Sequence, residues 1–389
     1  MAIFYKIFYH LTLRLLSPFI RIEVVGREHV PKRGPALLLA NHVGFLDPFV
    51  VSVAMGRPVQ FLATPTVFQK PILGRVARFF GVIPKKKFDA DLPAIFKLIE
   101  WSDLGSAVGI FPEGQRSWEG RTLEVVPGIG KLVRMLAAPV VVMRMYNADR
   151  VSPRWADKQR RGHVVVHIDK PIVFPKREKP SVIEDEISRR IRVDPEDCPR
   201  APVYGRRLAL GIGKVLFFCP ECYAAECLVE RRNRVTCAEC HTSWDVSSDN
   251  RLRRTDGDNI LPLINAIDKM KEFLDGKGWI VDEERFRREG VALESKRMRL
   301  VDLSGRRPKE IGTGRLQLTS AGLNLAGNVA WSLSLREILV ATVDFATDLQ
   351  FRSQDGLFAA ELDNESVVKW EWFVNHWLAG ARNQSLQNA

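Results

Sequence analysis

The sequence predicts an α/β domain with a mostly parallel sheet covered by helices, then a small cysteine-rich hairpin, then a small β-rich domain with a terminal helix. Three observations carry this prediction. Short apolar runs alternate with helical patterns through roughly the first 180 residues, as in parallel sheets whose crossovers cover both faces. Five of the six cysteines fall between Cys219 and Cys240. From about Gly290 onward the chain breaks into short alternating runs separated by polar turns.

The elements follow in order. Within residues 1–21, Lys6, His10, Arg14, Ser17 and Arg21 fall on one stripe of a helix, and the other face is Ile, Phe, Tyr and Leu. No uninterrupted apolar core or small-residue cleavage site marks a signal peptide. The stretch reads as an interfacial membrane helix or as an amphipathic helix packed on its own domain, and amphipathicity alone does not choose. Ile22–Val25 and Ala36–Ala40 read as strands, and Pro48–Met55 as a helix closed by Gly56. Further strands are expected at Ala107–Phe111, Val140–Met145 and Val164–Ile168. The α/β domain is expected over 22–180, and a charged, proline-punctuated connector over 181–213. The cysteine module spans 214–254, a helical linker 255–289, and the β-rich domain with its C-terminal helix 290–389.

Composition narrows the function classes. A chain of 389 residues, 46% hydrophobic, can bury two or three cores and is neither disordered nor fibrous. No run of 18 or more apolar residues lacks charges, so no conventional membrane span is expected. The net charge of +12 is carried entirely by residues 1–200, and the remainder sums to zero. An anionic partner should therefore meet the N-terminal half.

Two loops there carry chemistry. Asn41-His42-Val43-Gly44-Phe45-Leu46-Asp47 directly follows an apolar strand, which places it at a sheet's carboxyl edge, where α/β sites form. Asp47 can fix the tautomer of His42 and support the imidazolium that forms when the ring takes a proton. The plainer reading has Asp47 capping the next helix and His42 as an ordinary loop residue. Phe111-Pro112-Glu113-Gly114-Gln115-Arg116-Ser117 also follows a strand and reaches the same edge; its glycine admits close approach, and its arginine offers a fork suited to phosphate. Lys85-Lys86-Lys87 supplies a third, basic loop. No Gly-x-Ser-x-Gly elbow occurs, and no cysteine precedes Cys198, so direct base-assisted transfer is the economical chemistry.

Together these segments resemble the glycerolipid acyltransferase family, typified by 1-acylglycerol-3-phosphate acyltransferases, over about residues 20–175. The family's Asn-His-x4-Asp motif is met in full. Its Gly-x-x-Phe-Ile-x-Arg motif aligns with Gly81–Lys87, with Lys87 where arginine is usual. Its Phe-Pro-Glu-Gly-Thr-Arg-Ser motif is met except for Gln115, and Pro139 stands nearest its fourth, a strand proline. The resemblance implies O-acyl transfer from acyl-CoA or acyl carrier protein to a lysophospholipid hydroxyl, most simply lysophosphatidate to phosphatidate. It implies His42 as general base, Asp47 as its partner, and Lys87, Glu113, Gly114 and Arg116 as contacts of the head group. It also implies that no cofactor is needed for transfer and favours peripheral or monotopic contact with the cytoplasmic face of a membrane. Lysine for arginine keeps the charge and gives up the bidentate grip, so a different lysolipid acceptor is the first alternative. A non-catalytic lipid-binding scaffold is the second.

Cys219-Pro-Glu-Cys222 and Cys237-Ala-Glu-Cys240 are two knuckles joined by a hairpin over Leu228–Thr236, the pattern of a structural zinc ribbon. Four thiolates leave no open position for catalysis. Cys227 and His241 lack the paired spacing, and Cys198 reads as an ordinary thiol. The acids and bases between Lys214 and Asn250 nearly cancel, so nucleic acid is not an expected partner; a spacer or docking role is. The strands and helix after it are weakly similar, in layout alone, to a pleckstrin-homology module.

Overall fold

A computed structural model describes residues 18–64, 67–68, 74–75, 77–78, 82–85, 91–305, 307–344 and 348–387. The interfacial helix expected over 1–21 lies outside these residues up to position 17, and Ile20 already belongs to the first strand. The chain divides into two compact units. Met1–Arg206 with Ser248–Asn250 forms one, and Arg207–Ser247 with Arg251–Ala389 forms the other.

The first unit is built on a mixed sheet. Its strands are β1 (Ile20–Val25), β2 (Ala36–Ala40), β3 (Val59–Ala63), β4 (Ile83–Pro84), β5 (Ala107–Ile110), β6 (Val140–Tyr146), β7 (Arg161–Ile168) and β8 (Val203–Tyr204). They lie in the order β1-β7-β6-β2-β5-β3-β4, with β8 paired to β7. All neighbours are parallel except β6–β7 and β7–β8. The centre, β6-β2-β5, is wholly parallel and apolar except for Arg144 and Tyr146 near the end of β6, and β2 shows why. Its successive side chains alternate between faces, and both faces are covered. Leu38 and Ala40 pack under helix α1 (Asp47–Met55) with Val50, Val51 and Ala54. Leu37 and Leu39 pack instead with residues of α2 (Leu92–Asp103), α3 (Ile129–Leu136) and a helix absent from the sequence expectation, Pro180–Ile191.

That last helix changes the reading of 181–213. The stretch is charged, yet Ile183, Ile187 and Ile191 recur at i, i+4 and i+8 and are completely buried. It closes one face of the core, so residues up to 206 belong to the first unit. β3, β4 and β8 were likewise not expected; β3 is half-buried throughout, and the other two are two-residue pairings.

The second unit begins with a five-stranded antiparallel sheet of Leu228–Arg231, Arg234–Cys237, Ser243–Val246, Arg251–Arg254 and Ile260–Pro262, taken in chain order across the sheet. The expected hairpin joining the knuckles is its first pair. Within the helical linker expected over 255–289, a short strand, Ile260–Pro262, precedes the helix, which starts at Leu263. The β-rich part is an antiparallel sheet whose path runs Trp331–Ser334, Gly322–Gly327, Lys309–Thr319, Met298–Asp302, Leu357–Leu362, Asp348–Ser353, Ile338–Asp344. The terminal helix, Val367–Gln387, buries Trp370, Phe373 and Val374 completely. Within this unit the ribbon is not a loose spacer. Phe217 lies 5.7 Å from Trp372 and 6.3 Å from Phe373, and Tyr223 stacks on Phe273 at 4.4 Å. The buried Lys369 ammonium bonds both Glu226 beside the knuckle and Glu365 of its own turn.

Candidate active site and metal centre

Three adjacent parallel strands end at one edge, so the loops that follow them converge. β2 leads into Asn41–Asp47, β5 into Phe111–Ser117, and β6 into Asn147–Arg154. Asn41 ties the first loop to the third strand: its Oδ1 accepts the Met145 N–H at 2.7 Å, and its Nδ2 donates to the Met145 carbonyl at 3.2 Å.

His42 and Asp47 meet. The imidazole Nδ1 lies 2.8 Å from Asp47 Oδ2, and the same oxygen accepts the N–H groups of Val43 at 2.7 Å and Gly44 at 2.8 Å. Asp47 therefore does not cap α1. It turns back into its own loop, where it has three donors and is buried. A Cβ on Gly44 would sit 3.0 Å from Asp47 Oδ1, so a glycine keeps this turn closed. With Nδ1–H held by a carboxylate, Nε2 is the nitrogen able to take a proton. The ring stacks on Phe111 with centroids 4.0 Å apart, and 18% of the side chain stays exposed. Burial pulls the His42 pKa below its ordinary value, Asp47 opposes this, and the Arg116 and Arg154 charges add to the lowering. The imidazole is thus neutral near pH 7, with Nε2 able to accept a proton.

The second loop is locked to the first. Ser117 N–H donates to the His42 carbonyl at 2.8 Å. Glu113 Oε1 accepts the His42 N–H at 2.6 Å, and Oε2 accepts the Leu123 N–H at 2.7 Å. This differs from the expected head-group contact: each Glu113 oxygen bonds a backbone amide, and the side chain is 3% exposed. Burial pushes the Glu113 pKa up to about 8 against the lowering effect of those two amides. Gly114 is exposed and adopts φ +71°, a left-handed turn that favours glycine. Arg116 is half-buried within electrostatic reach of His42. Lys87, with Lys86, lies outside the described residues, while Lys85 follows β4 and donates its backbone N–H to the Ala63 carbonyl at the end of β3. Pro139 precedes β6, so it stands at the opposite edge of the sheet from His42. Arg154 escaped the sequence reading because Ser-Pro-Arg-Trp matches no motif; only its position after a central strand pointed to it.

Cys198 is buried in the first unit, its thiol 3.0 Å from the Asp194 carbonyl and pushed up to about 12 by burial. It is an inert thiol. In the second unit the Sγ atoms of Cys219, Cys222, Cys237 and Cys240 all lie within 4.8 Å of one another. Cys219–Cys240 and Cys222–Cys237 are 3.8 and 3.7 Å apart. Four sulfurs each about 2.3 Å from a tetrahedral zinc are about 3.8 Å apart. Backbone N–H groups of Glu221 and Cys240 point at Cys219 and Cys237 sulfurs, at 3.4 and 3.3 Å. The donor set fits the metal. Cys227 lies 3.4 Å from Cys237 as a buried neighbour, and His241 is exposed.

The acyltransferase family model matches residues 21–146. The chloroplastic 1-acyl-sn-glycerol-3-phosphate acyltransferase of Arabidopsis thaliana is 28% identical over 174 residues, which cover 42% of this chain and 49% of that protein. The enzyme of that name from Borreliella burgdorferi is 24% identical over 181 residues, 44% of this chain and 72% of its own length. Among solved structures, the 1-acyl-sn-glycerophosphate acyltransferase PlsC of Thermotoga maritima aligns with 20% identity and a TM-score of 0.42, covering 48% of this chain and 77% of that one. The chain spans about half the length of the plant relatives it matches.

Proposed function

We propose, from the premise that residues 21–146 form a domain of the glycerolipid acyltransferase family, that the protein transfers an acyl chain from a thioester to a lysophospholipid hydroxyl. The observation that carries this reading is the His42–Asp47 pair, closed at 2.8 Å on the carboxyl edge of the central strand and locked to the Phe111–Ser117 loop.

In the reaction, His42 Nε2 takes the proton of the acceptor hydroxyl as that oxygen attacks the thioester carbonyl. The new C–O ester bond forms, the C–S bond breaks, and the imidazolium returns its proton to the leaving thiolate. Asp47 stabilises the imidazolium and keeps Nδ1 from competing. Glu113 acts through the backbone, setting the position of the His42 amide. Gly114 gives the acceptor close access, and Arg116 and Lys87 balance its negative head group. Lysophosphatidate is the proposed acceptor and acyl-CoA or acyl carrier protein the donor. The acceptor's acyl chain resides in a bilayer, so the enzyme works at a membrane surface. No helix among the described residues is long and apolar enough to cross a membrane. Cys219, Cys222, Cys237 and Cys240 hold a structural zinc that stabilises the second unit and takes no part in transfer.

The test supplies purified protein with labelled acyl-CoA or acyl carrier protein thioester and vesicles containing one lysolipid at a time. Phosphatidate formed from lysophosphatidate is the expected result. Product only from another lysolipid changes the acceptor, and none from any lysolipid overturns the activity.

A further inference from the structure

The structure assigns Arg154 as a second cation of the acceptor site and as the brace that holds Arg116 beside His42. This deepens the acyl-transfer reading and rests on it for the identity of the ligand, an acceptor carrying a phosphate monoester. Arg154 follows β6 in a segment that abuts the His42 loop: a Cβ on Gly44 would lie 3.5 Å from both the Cβ and the carbonyl oxygen of Ser152. Its Nη1 donates to the carbonyl oxygen of Arg116. Its guanidinium carbon lies 3.8 Å from the centroid of the Trp118 ring, and that indole is buried. Stacking and hydrogen bond together restrict a side chain that is otherwise rich in rotamers. The next residue along the braced loop, Ser117, bonds the His42 carbonyl at 2.8 Å. Arg154, Arg116 and His42 thus form one connected unit drawn from three loops.

Electrostatics gives the arrangement a purpose. Two guanidiniums near one imidazole disfavour the imidazolium on which the reaction depends. Asp47 offsets part of this. A phosphate bound by the two arginines offsets more, because its charge neutralises them and restores the basicity of His42. Among the described residues, the charged groups acting on this ring are Asp47, Arg116 and Arg154, with Glu113 bonded to its backbone amide. Binding of an anionic acceptor therefore primes the base, and a neutral acceptor does not. Selectivity for phosphorylated acceptors then resides in Arg154 as well as in the motif residue Arg116.

The experiment measures equilibrium binding of a short-chain lysophosphatidate and of the monoacylglycerol of the same chain to wild type, Arg154→Ala and Arg154→Lys, with KM and kcat for both acceptors. Loss of one charge-assisted contact weakens binding by about tenfold or more. Arg154→Ala is expected to show that loss for lysophosphatidate and to raise its KM, with monoacylglycerol binding changed less than about twofold on the same scale. Arg154→Lys should recover part of the affinity, since it keeps the charge without the stack. Equal weakening of both acceptors reduces Arg154 to a structural residue, and unchanged lysophosphatidate binding, or wild type that does not prefer the phosphorylated acceptor, overturns the assignment. Wild type that binds lysophosphatidate and never acylates it refutes the acyl-transfer reading, while the binding data still judge Arg154.

Discussion

The two units fix their key side chains in contrasting ways. In the first, His42 is placed by a packed sheet and by carboxyl groups bonded to backbone amides: Asp47 holds Val43 and Gly44, and Glu113 holds His42 and Leu123. Two apolar layers, one on each face of β2, make that edge rigid enough to carry a reactive pair. In the second, four thiols converge beside a short hairpin, in a ribbon that packs on aromatic side chains of the same unit, close enough together for a metal to staple them. The packed sheet edge permits a site held by hydrogen bonds alone, whereas four converging thiols offer a site that a metal could close by coordination.

The largest expected effect breaks the second arrangement. Structural zinc contributes on the order of 10–16 kcal/mol in small metal-folded modules, so Cys219→Ser or Cys237→Ser should lose the metal and unfold the ribbon. Because Lys369 and Phe217 join the ribbon to the terminal helix, the loss should spread through the second unit. Metal analysis and thermal melting check this, and unchanged zinc content counts against the assignment. Next comes the hydrogen-bonded site. Asp47→Asn keeps the shape of the loop and removes the charge that supports the imidazolium, so turnover should fall by roughly 10²- to 10⁴-fold with the zinc retained. Steady-state kinetics that move less than tenfold contradict the role given to Asp47.

Ile187→Ala probes the core beneath that site. It should cost about 2–5 kcal/mol, read as a lower denaturation midpoint of the first unit alone. A smaller effect separates positioning from contact. Glu113→Gln sets an amide donor against one of two backbone donors, so kcat should fall while the KM for the acceptor stays nearly constant. A rise in KM with unchanged kcat would instead return Glu113 to the head group. The same variant tests a pH slope. The folded-state pKa of Glu113 is raised from 4.5 to about 8, so the folded protein keeps a proton that the unfolded chain has released. Stability from this group is full below about pH 4.5 and declines as pH rises towards about 8. Denaturation midpoints should show that decline in wild type and a shallower one in Glu113→Gln.

Much of this was legible in the sequence, unevenly and for physical reasons. The His42–Asp47 spacing is local, and both motif loops follow apolar strands, so their convergence could be read from pattern alone. The cysteine knuckles carry their geometry in their spacing. The partners of Glu113 were not legible, because they are backbone amides brought in by the fold, which no side-chain pattern announces. The helix over 180–191 was hidden by its charges, although the isoleucine spacing was present. Arg154 had no motif at all, and its role depends on an adjacency that only the strand order β6-β2-β5 creates.

The most direct test of the account compares wild type and His42→Ala for acyl transfer to lysophosphatidate, in the same vesicles and across pH 5 to 8. Wild-type kcat/KM should stay high to a pH below the ordinary histidine value of 6.5, since the imidazole pKa is lowered and the neutral ring is the base. His42→Ala should lose roughly 10²- to 10⁴-fold at every pH and show no acid limb. Equal rates from the two proteins, with the same pH profile, would contradict His42 as the base.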